Sequence, residues 1–367
     1  MRAPWIAKRT AQSPMKLATY KDGSRDGQLV VVSRDLCLAH YATGVATRLQ
    51  QVLDDWNFLS PQLEDLYATL NGGKARHAFP FEPRQCMAPL PRAYQWADAS
   101  GYLNHVALVR RARGAEMPAD AHAEPLMYQG GSDPLLGPCD DVTFTDEDAG
   151  IDFEAELAVV TGDLPMGATP AQALDAVRLL LLVNDWTLRE RVPREMAKGF
   201  GFLQSKTPTA FGPVAVTPDE LGEAWRGGRV HLPLHSSWNG RKVGLPDAGE
   251  DMDFPFDRLI AHLAATRPLR AGCIVGAGTV SNVDATRGYS CIAEKRALEI
   301  IEGGSPKTAY MRFGDTIRIE VKGRDGQSVF GAIDQRVVGP DGRGHAPADE
   351  APAGAQSPTT PDASDPP

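Results

Sequence analysis

Short apolar runs between Gly- and Pro-rich turns are the feature that most restricts the fold of this chain. Between Cys86 and Val338 such runs recur, and helical patterns are sparse, confined mainly to 170–177 and 256–265. Many short strands with long connections predict a mostly β, α+β core over residues 86–338, with loops that carry the function. The runs are ELAVV (156–160), LLLLV (179–183), CIVG (273–276), LEII (298–301) and TIRIEV (316–321).

The segments on either side of this core have different patterns. Residues 15–85 alternate as in paired strands and then carry apolar residues at helical spacing over 45–54 and 61–70, which predicts a small N-terminal α/β domain. Residues 1–14 are basic and lack the apolar stretch of a secretory signal. A start at Met15 would give a cleaner first strand, so we expect residues 1–14 to be an extension with no structural role. Residues 339–367 have no hydrophobic side chain larger than alanine apart from proline, which predicts a disordered tail.

Charge and cysteine usage argue against several classes of protein. The chain of 367 residues has a formal net charge of −9 and a pI of about 5.4, so it offers no basic field for nucleic acid. Its longest apolar run, 179–183, is far shorter than the roughly 20 residues that span a bilayer. The five cysteines are scattered and include no CxxC pair, which indicates neither a disulfide framework nor a zinc cluster. We therefore expect a cytoplasmic protein with no nucleic-acid or membrane partner.

The segment 151–160 carries acids at alternate positions. On a strand, side chains two positions apart share a face, so Asp152, Glu154 and Glu156 are predicted to line one face. Such a row is either a solvated acidic face or a site for a hard cation, because Mg²⁺ and Ca²⁺ bind carboxylate oxygens. Asp185 directly follows the run LLLLVN, and it is either a helix cap or a functional group at the end of a buried strand.

Five segments occur in order along the core: FEAELAVV, NDWTLRER, GFLQSKTPTAFGP, GAGTVSN and GYSCIAEKR. Together they resemble the fumarylacetoacetate hydrolase family, over about residues 85–338. The resemblance implies a partly rolled β core, and a homodimer by analogy with the family. It also implies a divalent cation, with Mg²⁺ as the first candidate and Ca²⁺ or Mn²⁺ as alternatives.

The resemblance also implies a role for individual residues. His105 matches the family's general base, Glu294 matches the acid that orients it, and Lys206 matches the catalytic lysine. The residues that match metal ligands are Asp98, Glu154, Glu156 and Asp185. The residues that match substrate-binding groups are Arg189, Tyr128 and Thr279.

Several of these residues also have an ordinary structural interpretation. The segment GYLNHVALVRR suits an amphipathic helix, in which His105 would be a buried side chain with satisfied hydrogen bonds. Lys206 and Arg189 would be surface charges, and Glu294 would be a solvated acid on a strand or loop. The glycines of 276–279 suggest a dinucleotide-binding loop only weakly, because the third glycine and a following helix pattern are missing.

The chain departs from the animal members of the family at two positions that contact substrate in those enzymes. Val192 stands where they have a Gln, and Ser100 stands where they have a Tyr, with Tyr102 nearby. These differences are compatible with the family's chemistry and leave the substrate open.

The implied reaction is hydrolysis of a carbon–carbon bond in a small diketo acid such as fumarylacetoacetate, in aromatic catabolism such as tyrosine degradation. A paired His and Glu favours hydrolysis, because decarboxylation and tautomerisation need no water nucleophile. An oxo-acid decarboxylase, isomerase or hydratase with the same metal site is the alternative. A non-enzymatic binding or structural protein, whose acids form only a charged face, is the third hypothesis.

Overall fold

The computed structural model describes residues 14–132 and 134–342. The predicted N-terminal extension, residues 1–14, lies outside these ranges except for Pro14. The predicted disordered tail lies outside them from residue 343 onward. Among the described residues, none of the helices has both the length and the apolar character that crossing a membrane requires.

The described residues form seven α-helices and twenty strands. The α-helices are α1 (Leu49–Asp54), α2 (Trp56–Asn71), α3 (Leu103–Ala112), α4 (Pro170–Asp175), α5 (Val192–Met196), α6 (Phe256–Leu263) and α7 (Ile292–Gly303). The first ten strands are β1 (Lys16–Tyr20), β2 (Gln28–Val32), β3 (Leu38–Tyr41), β4 (Phe79–Pro80), β5 (Gln95–Ala99), β6 (Met127–Gln129), β7 (Val142–Thr143), β8 (Ile151–Asp152), β9 (Ala155–Thr161) and β10 (Val177–Asn184). The others are β11 (Thr187–Leu188), β12 (Ala210–Phe211), β13 (Ala215–Val216), β14 (Trp225–Arg226), β15 (Arg229–Val230), β16 (Leu234–Trp238), β17 (Arg241–Gly244), β18 (Cys273–Gly276), β19 (Thr316–Lys322) and β20 (Ser328–Val338). Short 3₁₀ helices lie at Pro83–Gln85, Glu147–Ala149, Pro218–Ala224 and Ala285–Arg287.

One eleven-stranded sheet runs through the molecule in the order β4-β3-β2-β1-β13-β10-β9-β18-β5-β6, with β12 also paired to β10. Strand β1 pairs antiparallel with β13, where Lys16 lies opposite Val216. The strands of the predicted N-terminal domain, residues 15–85, therefore extend the same sheet that contains the central strands of the core.

The leucine run of β10 is apolar at successive positions because both faces of this strand are covered. Leu179 and Leu181 belong to a core cluster with helix α2 residues such as Leu63. Leu180 and Leu182 belong to the other core cluster. A strand buried on both faces reads as a continuous apolar run instead of an alternating one.

A second sheet of five strands, in the order β17-β16-β19-β20-β7, covers the second of these faces. Its buried residues Ile319, Phe330 and Ile333 share a core cluster with Leu180 and Leu182 of β10. Two packed layers of sheet with helices outside them give a mostly β, α+β architecture. The predicted fold class is confirmed.

Two local predictions were wrong. The run LEII (298–301) lies in helix α7, not in a strand, and the N-cap of this helix is Cys291, whose sulfur accepts the Glu294 N–H. The single strand expected over 151–160 is divided into β8 and β9, with Phe153 and Glu154 between them. The division arises because β8 pairs with β11 whereas β9 pairs with β10.

Candidate active site

Three carboxylates meet at the ends of three strands of the large sheet. Asp98 lies on β5, Glu156 lies on β9, and Asp185 directly follows β10. One oxygen from each of them lies within 4.8 Å of an oxygen from each of the others. We refer to Asp98, Glu156 and Asp185 as the carboxylate cluster.

The absence of a side chain at Gly276 allows Asp98 to reach this cluster. Strand β18 lies between β5 and β9 in the sheet, and Gly276 is its last residue. A Cβ at Gly276 would lie 2.3 Å from Oδ1 of Asp98, closer than two such atoms can approach. The Asp98 carboxylate therefore occupies space that any other residue at this position would fill. The Gly278 N–H donates to the same oxygen at 3.1 Å.

The cluster is buried, and so are Asp152 and Glu154, so the interpretation of segment 151–160 as a solvated acidic face is wrong. Asp98, Glu156 and Asp185 are 4%, 0% and 1% exposed. Oε2 of Glu156 is buried without a hydrogen-bond partner. Burial and the nearby Asp185 raise the pKa of Asp98 to about 8, and burial with Asp98 and Asp185 raises the pKa of Glu156. Buried acidic oxygens of this kind, one of them unpartnered, fit a hard divalent cation.

Glu154, the fourth predicted metal ligand, is held by basic side chains beside the cluster. Arg189 donates to its Oε1 at 2.5 Å, and the Lys206 ammonium donates to its Oε2. Lys206 also donates to Oδ2 of Asp185 at 2.6 Å, so it bridges Glu154 to the cluster. Burial alone would raise the pKa of Glu154, but Arg189 and Lys206 lower it. Burial alone would lower the pKa of Lys206, but Asp185 and Glu154 raise it.

Asp185 does not cap a helix among the described residues, because α5 is the next helix and its N-cap is Arg191. Its carboxylate accepts hydrogen bonds from the Tyr128 hydroxyl, from Lys206 and from Thr209, the last at 2.8 Å. The Lys206 ammonium lies 5.2 Å from the centre of the Tyr128 ring. Thr209 was not identified from the sequence, although it lies in the segment GFLQSKTPTAFGP.

His105 and Glu294 meet although 189 residues separate them in the chain. Nδ1 of His105, on α3, lies 2.9 Å from Oε2 of Glu294, on α7. The Ser281 hydroxyl donates to the other Glu294 oxygen at 3.0 Å. The side chain of Glu294 is only 3% exposed, so its interpretation as a solvated acid on a strand or loop is wrong. His105 lies on a helix, as its pattern predicted, and its side chain is 16% exposed.

Asp152 links α7 to this part of the site, a function that the sequence did not reveal. Its two oxygens accept the N–H groups of Ile292 and Ala293 at 2.7 and 2.9 Å, in the first turn of the helix that carries Glu294. Arg189 donates to it at 2.7 Å, so the Arg189 guanidinium is held by Asp152 and Glu154 together. Arg189 is largely buried and is not a free surface charge.

The remaining predicted substrate contact and the two positions that differ from the animal enzymes lie in different environments. Thr279 is buried, and its hydroxyl is 3.5 Å from Oε1 of Glu156. Val192 is buried at the start of α5, whereas Ser100 directly follows β5 and the Asp98 that it carries. The Tyr102 hydroxyl donates to the Ala248 carbonyl at 2.6 Å and is buried.

The loop that leads to Lys206 is anchored by Glu195 of α5. Its carboxylate accepts the N–H groups of Leu203, Gln204 and Ser205 at 3.0, 2.6 and 3.1 Å, and it also accepts the Ser205 hydroxyl. Against burial, which would raise it, these donors lower the pKa of Glu195 to about 2. The contribution of the ionised Glu195 carboxylate to stability is therefore complete above about pH 4.5 and is lost as the pH falls towards about 2.

We expect Glu195→Gln to loosen this loop, because the amide offers only one acceptor oxygen and no charge. Losing charged hydrogen bonds of about 1.5–3 kcal/mol each favours local opening by about tenfold or more. The measurement is the rate of chymotryptic cleavage at Phe200, which is 99% exposed, under native conditions. Glu190→Gln, at a neighbouring exposed residue, is the control, and equal cleavage rates for both variants would contradict the anchoring role.

Two surface cavities lie elsewhere. One, of about 570 Å³, is lined by residues that include Arg226, His231 and Arg324. The other, of about 460 Å³, is lined by residues that include Lys16 and Glu220. No residue of the carboxylate cluster lines either cavity.

The fold and the buried carboxylate cluster define a sheet-rich α+β protein with a candidate divalent-cation site. Residues 95–338 match the family model described as fumarylacetoacetate (FAA) hydrolase C-terminal, and residues 15–92 match the model described as fumarylacetoacetase N-terminal domain 2. The chain belongs to the fumarylacetoacetate hydrolase family, and the resemblance seen in its sequence is confirmed.

Among curated proteins, the chain is similar to 2,4-didehydro-3-deoxy-L-rhamnonate hydrolase of Sphingomonas sp. (strain SKA58), at 27% identity over 202 residues. That match covers 54% of this chain and 62% of the relative. A putative hydrolase of Burkholderia cenocepacia (strain HI2424) is 26% identical, with 57% and 66% covered. The chain therefore spans less than two thirds of the length of these relatives.

Solved structures show the same fold at low identity. A fumarylacetoacetate hydrolase from psychrophilic Exiguobacterium antarcticum superposes with a TM-score of 0.60 at 17% identity, covering 89% of this chain and 99% of that one. Maleylpyruvate hydrolase from Sphingobium sp. SYK-6, in complex with manganese (II) ion and pyruvate, gives 0.58 at 19% identity with the same coverage. The chain thus combines the fold of this family with a buried group of acids that could hold a divalent cation.

Proposed function

We propose that the chain hydrolyses a carbon–carbon bond of a small diketo acid with the help of a divalent cation at the carboxylate cluster. The observation that carries this proposal is the His105–Glu294 pair, 2.9 Å between Nδ1 and Oε2, beside a group of buried acids. A water-activating base next to a cation site is what hydrolysis needs and what decarboxylation or isomerisation does not.

Asp98, Glu156 and Asp185 would hold the cation, with Glu154 next to them. A bound divalent cation would polarise the carbonyl oxygens of a chelating diketo acid. Mg²⁺ is the first candidate because all of these ligands are hard carboxylate oxygens, and Mn²⁺ or Ca²⁺ would also suit them.

His105 is proposed as the general base. Glu294 orients its ring through Nδ1, which leaves Nε2 to take a proton from water. The water oxygen then bonds to the carbonyl carbon, the adjacent C–C bond breaks, and its electron pair forms the enolate of the leaving fragment. Lys206 carries the positive charge nearest the cluster and would stabilise the negative charge that develops.

The proposed roles of the remaining groups are in positioning and substrate contact. Arg189 and Tyr128 are engaged with carboxylates, so we propose that they position Glu154 and Asp185 when no substrate is bound. The family resemblance also assigns them to the substrate carboxylate, which a guanidinium fork suits. Thr279, next to Glu156, is proposed as a further contact to the substrate.

The substrate is proposed to be a 1,3-diketo acid. The name 2,4-didehydro-3-deoxy-L-rhamnonate of one relative's substrate describes an acid oxidised at carbons 2 and 4, which fits this class. Fumarylacetoacetate is the second member of the class to test, and it would place the enzyme in aromatic or tyrosine catabolism. We further propose a cytoplasmic homodimer, on the basis of the scattered cysteines and the analogy with the family.

The test is a panel of 2,4-dioxo acids together with fumarylacetoacetate. Cleavage of each substrate is monitored as the loss of ultraviolet absorbance of the conjugated diketone. We expect absorbance to decay with Mg²⁺ or Mn²⁺ and to stop with EDTA. In H₂¹⁸O, one ¹⁸O should appear in the acid product, because the nucleophile is water. Release of CO₂ or a change of double-bond position without ¹⁸O incorporation would replace hydrolysis by decarboxylation or isomerisation. Decay that is unaffected by EDTA would contradict the cation dependence.

A further inference from the structure

A second group of metal-binding side chains lies beside the carboxylate cluster and has a different chemistry. His105, Glu154 and Cys291 each offer one ligand atom, and these atoms all lie within 4.8 Å of one another. From this geometry we propose that the three residues bind a borderline-soft divalent cation such as Zn²⁺, as a site separate from the carboxylate cluster. We call it the His–Glu–Cys site.

The donor atoms decide which cation this site takes. Imidazole nitrogen, carboxylate oxygen and thiolate sulfur are the usual ligands of Zn²⁺, whereas Mg²⁺ and Ca²⁺ take oxygen ligands. Bonds of about 2.0–2.3 Å place tetrahedral Zn²⁺ ligands roughly 3.3–3.8 Å apart, so atoms within 4.8 Å need only a small closure. Three protein ligands would leave the fourth position of the cation open.

The groups around the site support its ligands. His105 uses Nδ1 to bind Glu294, which leaves Nε2 for the cation, and a carboxylate on the second ring nitrogen is the usual partner of a metal-bound histidine. The Glu294 N–H donates to the Cys291 sulfur at 3.4 Å, and Cys291 is the N-cap of α7. Burial and the nearby Asp152 raise the pKa of the Cys291 thiol, so the cation itself has to displace the thiol proton when it binds.

Two positive groups also face the site, and each is shared with a second acid. Arg189 is held by Asp152 as well as by Glu154. Lys206 is held by Asp185 as well as by Glu154. Their charges are therefore partly balanced from outside the His–Glu–Cys site, so that Glu154 and the thiolate can still attract a cation.

Binding changes no oxidation state. The S–H bond of Cys291 breaks, its proton goes to solvent, and the sulfur electron pair forms the bond to the cation. The lone pair on Nε2 of His105 is used in the same way. If His105 is the general base of the proposed function, Zn²⁺ at this site inhibits the enzyme by occupying the base.

The test uses Co²⁺ as a probe for Zn²⁺, because thiolate ligation to Co²⁺ gives an intense charge-transfer band in the near ultraviolet that carboxylate ligation does not give. The 367-residue chain is depleted of metal and titrated with Co²⁺, then with excess Mg²⁺, then with Zn²⁺. We expect the band to form, to survive Mg²⁺ and to be bleached by Zn²⁺. A band that Mg²⁺ abolishes, or no band at all, would overturn the second site.

Cys291→Ser should remove the band, and Cys37→Ser and Cys139→Ser should keep it, since those thiols lie outside the site. A band that persists in Cys291→Ser assigns the thiolate to another cysteine and overturns the proposal. His105→Asn, at a residue partly exposed to solvent, gives an independent check and should weaken Zn²⁺ affinity by at least about tenfold. These spectra report binding alone, so their failure is distinct from a failure of the proposed hydrolase activity.

Discussion

Replacing His105 with Asn is expected to lower kcat for diketo-acid cleavage by about 10²- to 10⁴-fold, the usual contribution of a general base. The Asn amide can still donate to Glu294, so the hydrogen bond that His105 makes through Nδ1 has a substitute. The amide has no lone-pair nitrogen to accept a proton from water, so the chemical step is slowed while binding is retained. Two measurements are made under saturating cation. Single-turnover cleavage reports the chemical step, and steady-state kinetics give kcat and KM separately.

The control for this variant is His122→Asn, which makes the same exchange at an exposed histidine. Cation binding by the carboxylate cluster should be equal in both variants, because neither histidine belongs to that cluster. Glu294→Gln should also lower kcat, because the neutral amide no longer stabilises a protonated imidazole ring. A normal kcat in His105→Asn would show that another group activates the water.

The second large effect is expected from Glu156→Gln, which should abolish cation binding and also stabilise the cation-free protein. Glu156 is fully buried next to Asp98 and Asp185, and its Oε2 has no hydrogen-bond partner. A neutral amide removes the repulsion among these acids and can donate to them. At a cation concentration of 100 Kd, binding raises the free energy of unfolding of the wild type by about 2.7 kcal/mol. The cation should not raise that of the variant.

The sign of the pH dependence distinguishes this interpretation from a simple loss of packing. The pKa of Asp98 is raised to about 8 and that of Glu156 is raised as well, so the folded state binds more protons than the unfolded state. The stability of the cation-free wild type should therefore fall as the pH rises through the unfolded-state value, near 4, towards about 8. Glu156→Gln should show a smaller fall.

Thermal unfolding from pH 4 to 8, with EDTA and with Mg²⁺ or Mn²⁺, measures both effects. Glu302→Gln, at an exposed position of α7, is the matched control and should behave as the wild type does. A Glu156→Gln protein that is still stabilised by the cation as much as the wild type is would contradict the assignment of Glu156 as a ligand.

Much of the fold could be predicted because it depends on local patterns. The apolar runs at 179–183 and 316–321 form β10 and β19, and the helices predicted at 170–177 and 256–265 are present as α4 and α6. The run at 298–301 was assigned incorrectly because a short apolar run does not by itself distinguish a strand from part of a helix. The N-cap of the helix that contains this run is Cys291. Cysteine is less typical of N-caps than Ser, Thr, Asp or Asn, so the start of the helix is hard to recognise in the sequence.

The candidate site was predictable only as a set of residue types. The acids at 154, 156 and 185 stand out because carboxylates next to apolar strands are unusual, and the family resemblance added His105 and Glu294. The alternation of acids along the chain did not show which acids share a cluster, whereas the family resemblance had named Asp98, Glu156 and Asp185 together. The sequence grouped Asp152 with Glu154 and Glu156, yet Asp152 binds the first turn of α7 and Arg189.

The sequence alone therefore determined the fold class, the strands at the centre of the sheet and the acids available for chemistry, since each depends on periodicity or on neighbours in the chain. The tertiary structure alone decided which of these groups meet. Gly276 leaves room for Asp98 to reach Glu156 across an intervening strand, and α7 brings Cys291 and Glu294 to His105. These contacts join residues far apart in the chain, up to 189 positions for His105 and Glu294, and only the packing of the sheet and its helices brings them together.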